Sequence, residues 1–144
     1  MTTMNDNIWR DPTPTPPAAE AGALRVLHVD ADAASATMLA ALLVPEHQVT
    51  CVQTLAAAAD AVARERYTLL VLDPDLPDGD GVALFEALRA SGAPTPVLLY
   101  ASRHTVWRDQ ASAFLLKPWT SPRQLSNTAL RLLRGTPAMW VEQA

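Results

Sequence analysis

The chain of 144 residues has a length that suits one domain with a single hydrophobic core, and 49% of its residues are hydrophobic against 18% charged. A net charge of −4 argues against a nucleic-acid surface, which needs clustered Lys and Arg, and no stretch approaches the ~20 apolar residues of a membrane span. The N-terminus lacks the basic and apolar regions of a secretory signal, and the single cysteine, Cys51, rules out an intrachain disulfide, so a reducing cytoplasm is the expected setting.

Residues 1–22 are expected to form a disordered tail, because their Pro-rich part cannot propagate a helix. A domain is predicted over residues 23–135, followed by a C-terminal tail over 136–144. In chain order the predicted elements are a strand at 25–29, a helix at 33–44, a strand at 49–52, a helix at 55–66, a strand at 68–72, a helix at 82–90, strands at 97–100 and 114–116, and a last helix from the capping box at Ser121 to Arg134. Five strands separated by helices predict an α/β fold with a parallel sheet, helices on both faces and all strand carboxyl ends at one edge.

The most informative stretch joins the third predicted strand to the helix after it. A short apolar run ends at Asp73, a Pro- and Gly-rich acidic loop follows, and an amphipathic helix then begins. This order places the Asp73 carboxylate at the carboxyl edge of a buried strand, where open α/β sheets carry their sites. Two further motifs fall at the same predicted edge. They are an acidic turn from Asp30 to Asp32 after the first strand and Lys117-Pro118 after the fifth.

These motifs, in this order, resemble the receiver domain family of response regulators in two-component signalling. The resemblance covers roughly residues 24–134. It implies a flavodoxin-like fold with a five-stranded parallel sheet of order 2-1-3-4-5 and a site between the first and third strands. It also implies that Asp73 accepts a phosphoryl group from a kinase phosphohistidine and that Lys117 neutralises charge at the acceptor.

The resemblance implies a Mg²⁺ site as well. Its ligands would be the carboxylates of Asp30 and Asp73 and the backbone carbonyl of Asp75. The resemblance further implies a cis peptide bond between Lys117 and Pro118, which would turn the ammonium group towards the acceptor.

Three positions depart from the family pattern. Ala31 stands where the second acidic metal ligand is expected, so weak Mg²⁺ binding is predicted. Asp32 either reaches the metal through a remodelled turn or caps the following helix. Ala101 stands where the fourth strand should end in a signalling hydroxyl, and Ser102 would supply one only through a bulge. Phe114 replaces the usual switch tyrosine and has no hydroxyl to donate.

The segment between the fourth and fifth strands, 102–112, is short for this family. The fourth helix is therefore expected to be shortened to about two turns. In the family this helix forms much of the output surface, so its shortening predicts an altered interface. It also predicts that Trp107 is exposed, unless its ring packs over the gap. Trp119 marks either a contact surface or local packing against the last helix. A binding face around Trp107, Phe114 and Trp119 is predicted to depend little on phosphorylation.

Two functions are open. The first is a stand-alone receiver, not an enzyme, which takes a phosphoryl group from a histidine kinase or phosphotransfer protein and signals by contact with a downstream protein. The second is a degenerate pseudo-receiver that keeps the fold as a phosphorylation-independent interaction module. Asp73 and Lys117 favour the first function, whereas Ala31 and Ala101 favour the second. Either function is compatible with a homodimer, and neither involves nucleic acid or a membrane.

Overall fold

The computed structural model describes residues 24–91, 95–105 and 110–135. The predicted tails at 1–22 and 136–144 lie outside these residues. In chain order the elements are β1 (Arg25–Val29), α1 (Ala33–Leu43), β2 (Gln48–Val52), α2 (Leu55–Arg64), β3 (Leu69–Leu72), β4 (Asp75–Leu76), β5 (Gly79–Asp80), α3 (Ala83–Ser91), β6 (Val97–Ala101), β7 (Ala113–Leu116), a 3-10 turn (Lys117–Trp119) and α4 (Pro122–Leu133).

The main sheet has five parallel strands in the order β2-β1-β3-β6-β7. Numbered along the chain within this sheet, that order is 2-1-3-4-5, so the predicted α/β fold is confirmed. The three strands β3, β6 and β7 are buried along their whole length, as their continuous apolar sequences require in a sheet covered on both faces.

Two apolar clusters cover the two faces of the sheet. On one face α1 and α4 contribute Leu39 and Leu125 to the packing against β1, β3, β6 and β7. On the other face α2 and α3 contribute Ala58 and Leu84. This arrangement leaves the carboxyl ends of the strands open to a cleft formed by the loops that follow them.

The predicted capping box at the start of α4 is present. The Gln124 backbone N–H donates to Ser121 Oγ at 3.1 Å, and the Ser121 backbone N–H donates to Gln124 Oε1 at 2.9 Å. Pro122 occupies the first turn, where its missing N–H costs no hydrogen bond. These contacts fix the start of α4 at Pro122, five positions after the lysine that follows β7.

The loop after β3 contains an antiparallel hairpin that was not predicted. Its strands β4 and β5 pair Asp75 with Asp80 and Leu76 with Gly79. Gly79 adopts φ +150°, a conformation that residues with a Cβ rarely take. Two-residue strands leave no periodic signal in a sequence, which is why the pattern missed them.

The segment 102–112 is described at 102–105 and 110–112, and none of these seven positions is α-helical. The core of the predicted short helix, including Trp107, falls at 106–109 and lies outside the described residues. Within the described part of the chain, no helix combines the length and the apolar character needed to cross a membrane.

Candidate functional site

Two buried carboxylates lie side by side at the carboxyl edge of the sheet. Asp30 and Asp73 follow the adjacent strands β1 and β3, and they are 1% and 5% exposed. Backbone hydrogen bonds extend the sheet through both residues. The Asp30 N–H donates to the carbonyl of Val52 at 3.0 Å, and the Asp73 N–H donates to the carbonyl of Val29 at 2.9 Å. The sheet itself therefore fixes both acids.

Lys117 bridges these two acids. Its Nζ lies 2.8 Å from Asp30 Oδ2, 3.0 Å from Asp30 Oδ1 and 2.9 Å from Asp73 Oδ2. The lysine opens the 3-10 turn directly after β7, and its side chain is 13% exposed. Lys117, at the end of β7, thus contacts the acids that follow β1 and β3.

The prediction of a cis bond before Pro118 is wrong. Among the described residues, the cis peptide is Val44-Pro45, and the Lys117-Pro118 bond is trans. The tight 3-10 turn after β7 places the ammonium group over both carboxylates without a cis peptide.

Lys117 and Asp30 hold each other ionised. Burial opposes the charged form of Lys117, but its hydrogen bonds to Asp30 and Asp73 outweigh burial and raise its pKa. Burial likewise opposes ionisation of Asp30. Contact with His28 and hydrogen bonds from Lys117 and the Asp32 backbone outweigh it and lower the Asp30 pKa. With one cation and two carboxylates, the cluster carries one net negative charge.

Two buried neighbours complete this cluster. His28 Nε2 lies 3.3 Å from Asp30 Oδ2, in an alignment too poor for a full hydrogen bond. Tyr100 lies on β6, and Lys117 Nζ is 5.5 Å from the centre of its ring, within cation–π distance. Burial raises the Tyr100 pKa, so the phenol stays neutral beside the lysine.

The loop after Asp73 is held in place by several hydrogen bonds. The Asp75 N–H donates to Asp73 Oδ1 at 2.9 Å, and the Gly81 N–H donates to the carbonyl of Pro74 at 2.8 Å. A Cβ on Gly81 would lie 2.9 Å from Leu72 and 3.0 Å from the backbone of Pro74, so only glycine fits there without displacement.

The far end of this loop is tied to α2. Asp78 accepts hydrogen bonds from the backbone N–H groups of Leu55 at 2.7 Å and Ala56 at 2.9 Å. These bonds lower the Asp78 pKa. Asp78 thus supplements Thr54 as a cap for the helix and anchors the hairpin, a contact that sequence spacing does not indicate.

A family model for the response regulator receiver domain matches residues 26–129 of this chain. The chain belongs to this family. A curated relative, "Probable transcriptional regulatory protein y4xI" of Sinorhizobium fredii (strain NBRC 101917 / NGR234), is 31% identical over 119 residues. The match covers 78% of this chain but 52% of that protein, so the chain spans about half the length of the relative.

Solved receiver domains share the fold. The signal receiver domain of a Vibrio parahaemolyticus protein assigned as a Luxo repressor superposes with a TM-score of 0.72 at 22% identity, covering 78% of this chain and 92% of that one. The chemotaxis response regulator CheY4 of Vibrio cholerae gives 0.68 at 22% identity over 76% and 98%. The receiver domain of a sensor histidine kinase from Pseudomonas aeruginosa PAO1, solved with magnesium in its active site cleft, gives 0.67 at 21% identity over 78% and 98%.

The acidic turn of this receiver supplies one carboxylate, that of Asp30, to the buried cluster with Lys117, and the other acid serves α1. Asp32 is the N-cap of α1, and its Oδ1 accepts the N–H of Ala34 at 3.0 Å. Its Oδ2 accepts the hydroxyl of Ser35 at 3.0 Å. Both oxygens are therefore engaged with the helix, while the exposed Ala31 lines the cleft.

The predicted metal ligands, Asp30, Asp73 and Asp75, suit a cation such as Mg²⁺ that needs few protein ligands. Among the described residues, no cluster of three or more His, Cys, Asp or Glu side chains has a metal-binding arrangement. Mg²⁺ often keeps several waters and uses one or two carboxylates, so the ligand set of Asp30, Asp73 and the carbonyl of Asp75 stays a prediction for a weak site. Lys117 already pairs with both carboxylates and offsets one of their two charges, which reduces the charge left for a metal.

The positions that are predicted to transmit the state of Asp73 lie on β6, on β7 and in the loop between them. Ala101 ends β6 and is 1% exposed, whereas Ser102 is exposed in the loop after it. Phe114 is fully buried and stacks on His104 with ring centres 5.7 Å apart. Phe114 therefore cannot belong to an exposed binding face, contrary to the predicted face that included it. Trp119 is 73% exposed, so it is not packed against α4.

Sequence reasoning missed one residue of the cleft, Arg103. Its guanidinium contacts the carboxylate of Asp75 through two hydrogen bonds of 3.1 and 3.2 Å. Both residues line a cleft of about 660 Å³ that also includes Ala31 and Pro74. No sequence pattern singles out Arg103, because it is an exposed loop residue 28 positions away from Asp75.

Proposed function

We propose that this receiver accepts a phosphoryl group on Asp73 and signals through protein–protein contacts. The observation that carries the proposal is the position of Lys117 Nζ, 2.9 Å from Asp73 Oδ2 and 2.8 Å from Asp30 Oδ2. A structural ion pair needs one acid and one base. Here two buried acids from adjacent strands share one lysine at the switch point of the sheet, where ligands of such folds bind.

The proposed reaction transfers a phosphoryl group from a histidine nitrogen of the donor to a carboxylate oxygen of Asp73. A carboxylate oxygen of Asp73 forms a bond to the phosphorus of a phosphohistidine while the nitrogen–phosphorus bond breaks. The electron pair of that bond stays on the imidazole nitrogen, which then takes a proton from water. Because a carboxylate is a weak nucleophile, the site contributes position and charge. Lys117 offsets charge at the acceptor, and the N–H of Asp75 orients its second oxygen.

Mg²⁺ would be held by the carboxylates of Asp30 and Asp73 and the carbonyl of Asp75. When bound, it supplies positive charge to the phosphoryl oxygens. We expect weak affinity, because Ala31 contributes no ligand and Asp32 is engaged with α1. The magnesium ion of the Pseudomonas aeruginosa receiver supports this assignment by analogy of fold.

The partners we propose are a histidine kinase or phosphotransfer protein as donor and a downstream protein as target, acting in the cytoplasm. Trp119, 73% exposed beside the site lysine, is the proposed contact residue for the target or for a second copy. The predicted stand-alone architecture stays a prediction, since the chain spans about half of its curated relative.

A second candidate function is a pseudo-receiver that binds partners without phosphorylation. Two observations favour it. Ala31 stands where the family pattern has a second acidic metal ligand, and the buried Ala101 has no hydroxyl to donate to a phosphoryl group. Under this alternative, the ion pairs of Lys117 serve the stability of the fold alone.

Incubation with acetyl phosphate, followed by intact-mass measurement with and without Mg²⁺, separates the two functions. We expect a single phosphoryl adduct that requires Mg²⁺ at millimolar concentration and is lost in Asp73→Asn. Asp60→Asn is the matched control, because it removes an exposed aspartate from the surface of α2, outside the acceptor loop, and should leave the adduct intact. A wild-type chain that stays unmodified at high Mg²⁺ would favour the pseudo-receiver.

A further inference from the structure

Arg103 connects two loops across the mouth of the cleft. It lies in the loop that follows β6, and its Nε and Nη2 donate to Asp75 Oδ2 at 3.2 Å and Oδ1 at 3.1 Å. Asp75 is two residues after Asp73, whose side chain accepts the Asp75 backbone N–H. The guanidinium is therefore attached to the acceptor loop itself, at the side of the cleft that faces β6.

This ion pair is easily exchanged. The side chains of Arg103 and Asp75 are 78% and 50% exposed, and ion pairs as exposed as this contribute little to stability. Hydrogen bonding to Asp75 is the main cause that raises the Arg103 pKa, and the charge of Asp73 adds to it. Arg103 is thus always charged, lies within the field of the acceptor and is bound to its present partner weakly.

A phosphoryl group on Asp73 would change the charge balance at this point. It adds about −1.5 to −2 charges and three acceptor oxygens. Lys117 already shares its single charge between Asp30 and Asp73, and Ala101 offers no hydroxyl. Guanidinium binds phosphate oxygens through two parallel hydrogen bonds, and a phosphoryl group carries more negative charge than the carboxylate of Asp75.

We propose that Arg103 is a phosphoryl-binding residue of this site, an inference that rests on the proposed function. When Asp73 is phosphorylated, the Arg103 guanidinium leaves Asp75 and binds the phosphoryl group. Asp75 holds the guanidinium at the cleft when the acceptor is unmodified. The exchange moves the loop after β6 relative to the acceptor loop, so Arg103 supplies the link that Ala101 cannot. Coupling between the site and this loop therefore passes through a long charged side chain and not through a hydroxyl.

The test uses four variants and the rate of phosphoryl adduct formation from acetyl phosphate at fixed Mg²⁺. Arg103→Gln should lower the rate about tenfold, the order expected for losing a charge-assisted bidentate contact. Asp75→Asn should raise it, because the guanidinium is released and a repelling charge is removed. Arg123→Gln, on an exposed position of α4, is the control and should match the wild type.

The double variant distinguishes exchange from simple repulsion. If Arg103 moves from Asp75 to the phosphoryl group, Asp75→Asn should accelerate the reaction several-fold in the wild-type background and much less in Arg103→Gln. Equal acceleration in both backgrounds would overturn the inference. An unchanged rate in Arg103→Gln would overturn it too, while the proposed function of Asp73 would stand.

A second measurement applies if no adduct forms on the wild type, an outcome that overturns the proposed function. Inorganic phosphate is then titrated while the Nε–H resonance of Arg103 is followed by NMR. The inference predicts a saturable shift of this resonance at lower phosphate concentration in Asp75→Asn than in the wild type. No shift in either protein would overturn it.

Discussion

Replacing Lys117 with methionine should destabilise the fold by about 3 kcal/mol at neutral pH in metal-free buffer. The substitution keeps the length of the side chain but leaves Asp30 and Asp73, 1% and 7% exposed in their side chains, without their shared cation. Breaking a buried ion pair costs about 3–5 kcal/mol, and we take the lower end because Lys117 is itself 13% exposed. For a domain of this size, that loss corresponds to a fall of about 12 °C in Tm.

The free energy of unfolding is measured by urea denaturation, with Arg64→Met as the matched control. Arg64 pairs with Asp60 on the surface of α2, and their side chains are 74% and 61% exposed. Such a pair contributes about 0.3–0.5 kcal/mol, so the control should lie close to the wild type. If Lys117→Met lost less than about 1 kcal/mol, the lysine would not stabilise the charge of the buried Asp30 and the account of the cluster would fail.

The pH dependence of this difference has a definite sign. The raised pKa of Lys117 means that its contribution is complete below the ordinary value of 10.5 and is lost as pH rises through the raised pKa. The lowered pKa of Asp30 means that its contribution is present above the ordinary value of 3.8 and is lost as pH falls through the lowered pKa. The deficit of Lys117→Met should therefore be greatest near neutrality and shrink towards pH 4, where Asp30 in the variant can take up a proton.

Three further predictions concern the metal, the loop and the surface. Ala31→Asp should strengthen Mg²⁺ binding about tenfold in calorimetry, because it adds a carboxylate to a hard-cation site, and unchanged affinity would mean that the new acid does not face the metal. Gly81→Ala should lower the free energy of unfolding by about 1–3 kcal/mol, since its Cβ would lie 2.9 Å from Leu72, and a neutral result in urea denaturation would show that the loop can shift. Trp119→Ala should leave unfolding within about 0.5 kcal/mol of the wild type, because the ring is exposed, yet it should weaken target binding or self-association in sedimentation velocity more than Asp73→Asn does; the reverse ranking would indicate a phosphorylation-dependent interface.

The sheet could be predicted because its signals are local. The strands that end at Leu72, Ala101 and Leu116 are short apolar runs, and the structure buries every residue of them. The placement of Asp30 and Asp73 at one edge follows from parallel pairing alone. The apposition of Lys117 with Asp30, 87 positions away, does not follow from spacing, and it was accessible through the family resemblance.

Contacts between loops could not be predicted. Arg103 and Asp75 are 28 positions apart, and both are exposed, so neither periodicity nor burial distinguishes them from ordinary surface charges. The hydrogen bonds that Asp78 accepts at the start of α2 depend on the hairpin. The two-residue strands of this hairpin are too short to produce a recognisable pattern in the sequence. The isomer at Pro118 is decided by the turn around it, and the family expectation was wrong here.

The central claim is that Asp73, and not another acid of its loop, takes the phosphoryl group. It is tested most directly by treating the chain with acetyl phosphate and Mg²⁺, reducing the acyl phosphate with borohydride, and sequencing the peptides by mass spectrometry. Reduction converts a phosphorylated aspartate into homoserine, which marks the modified position. The account predicts homoserine at Asp73 and aspartate at Asp75, Asp78 and Asp80. Homoserine at any of those three positions, with Asp73 unchanged, would contradict it.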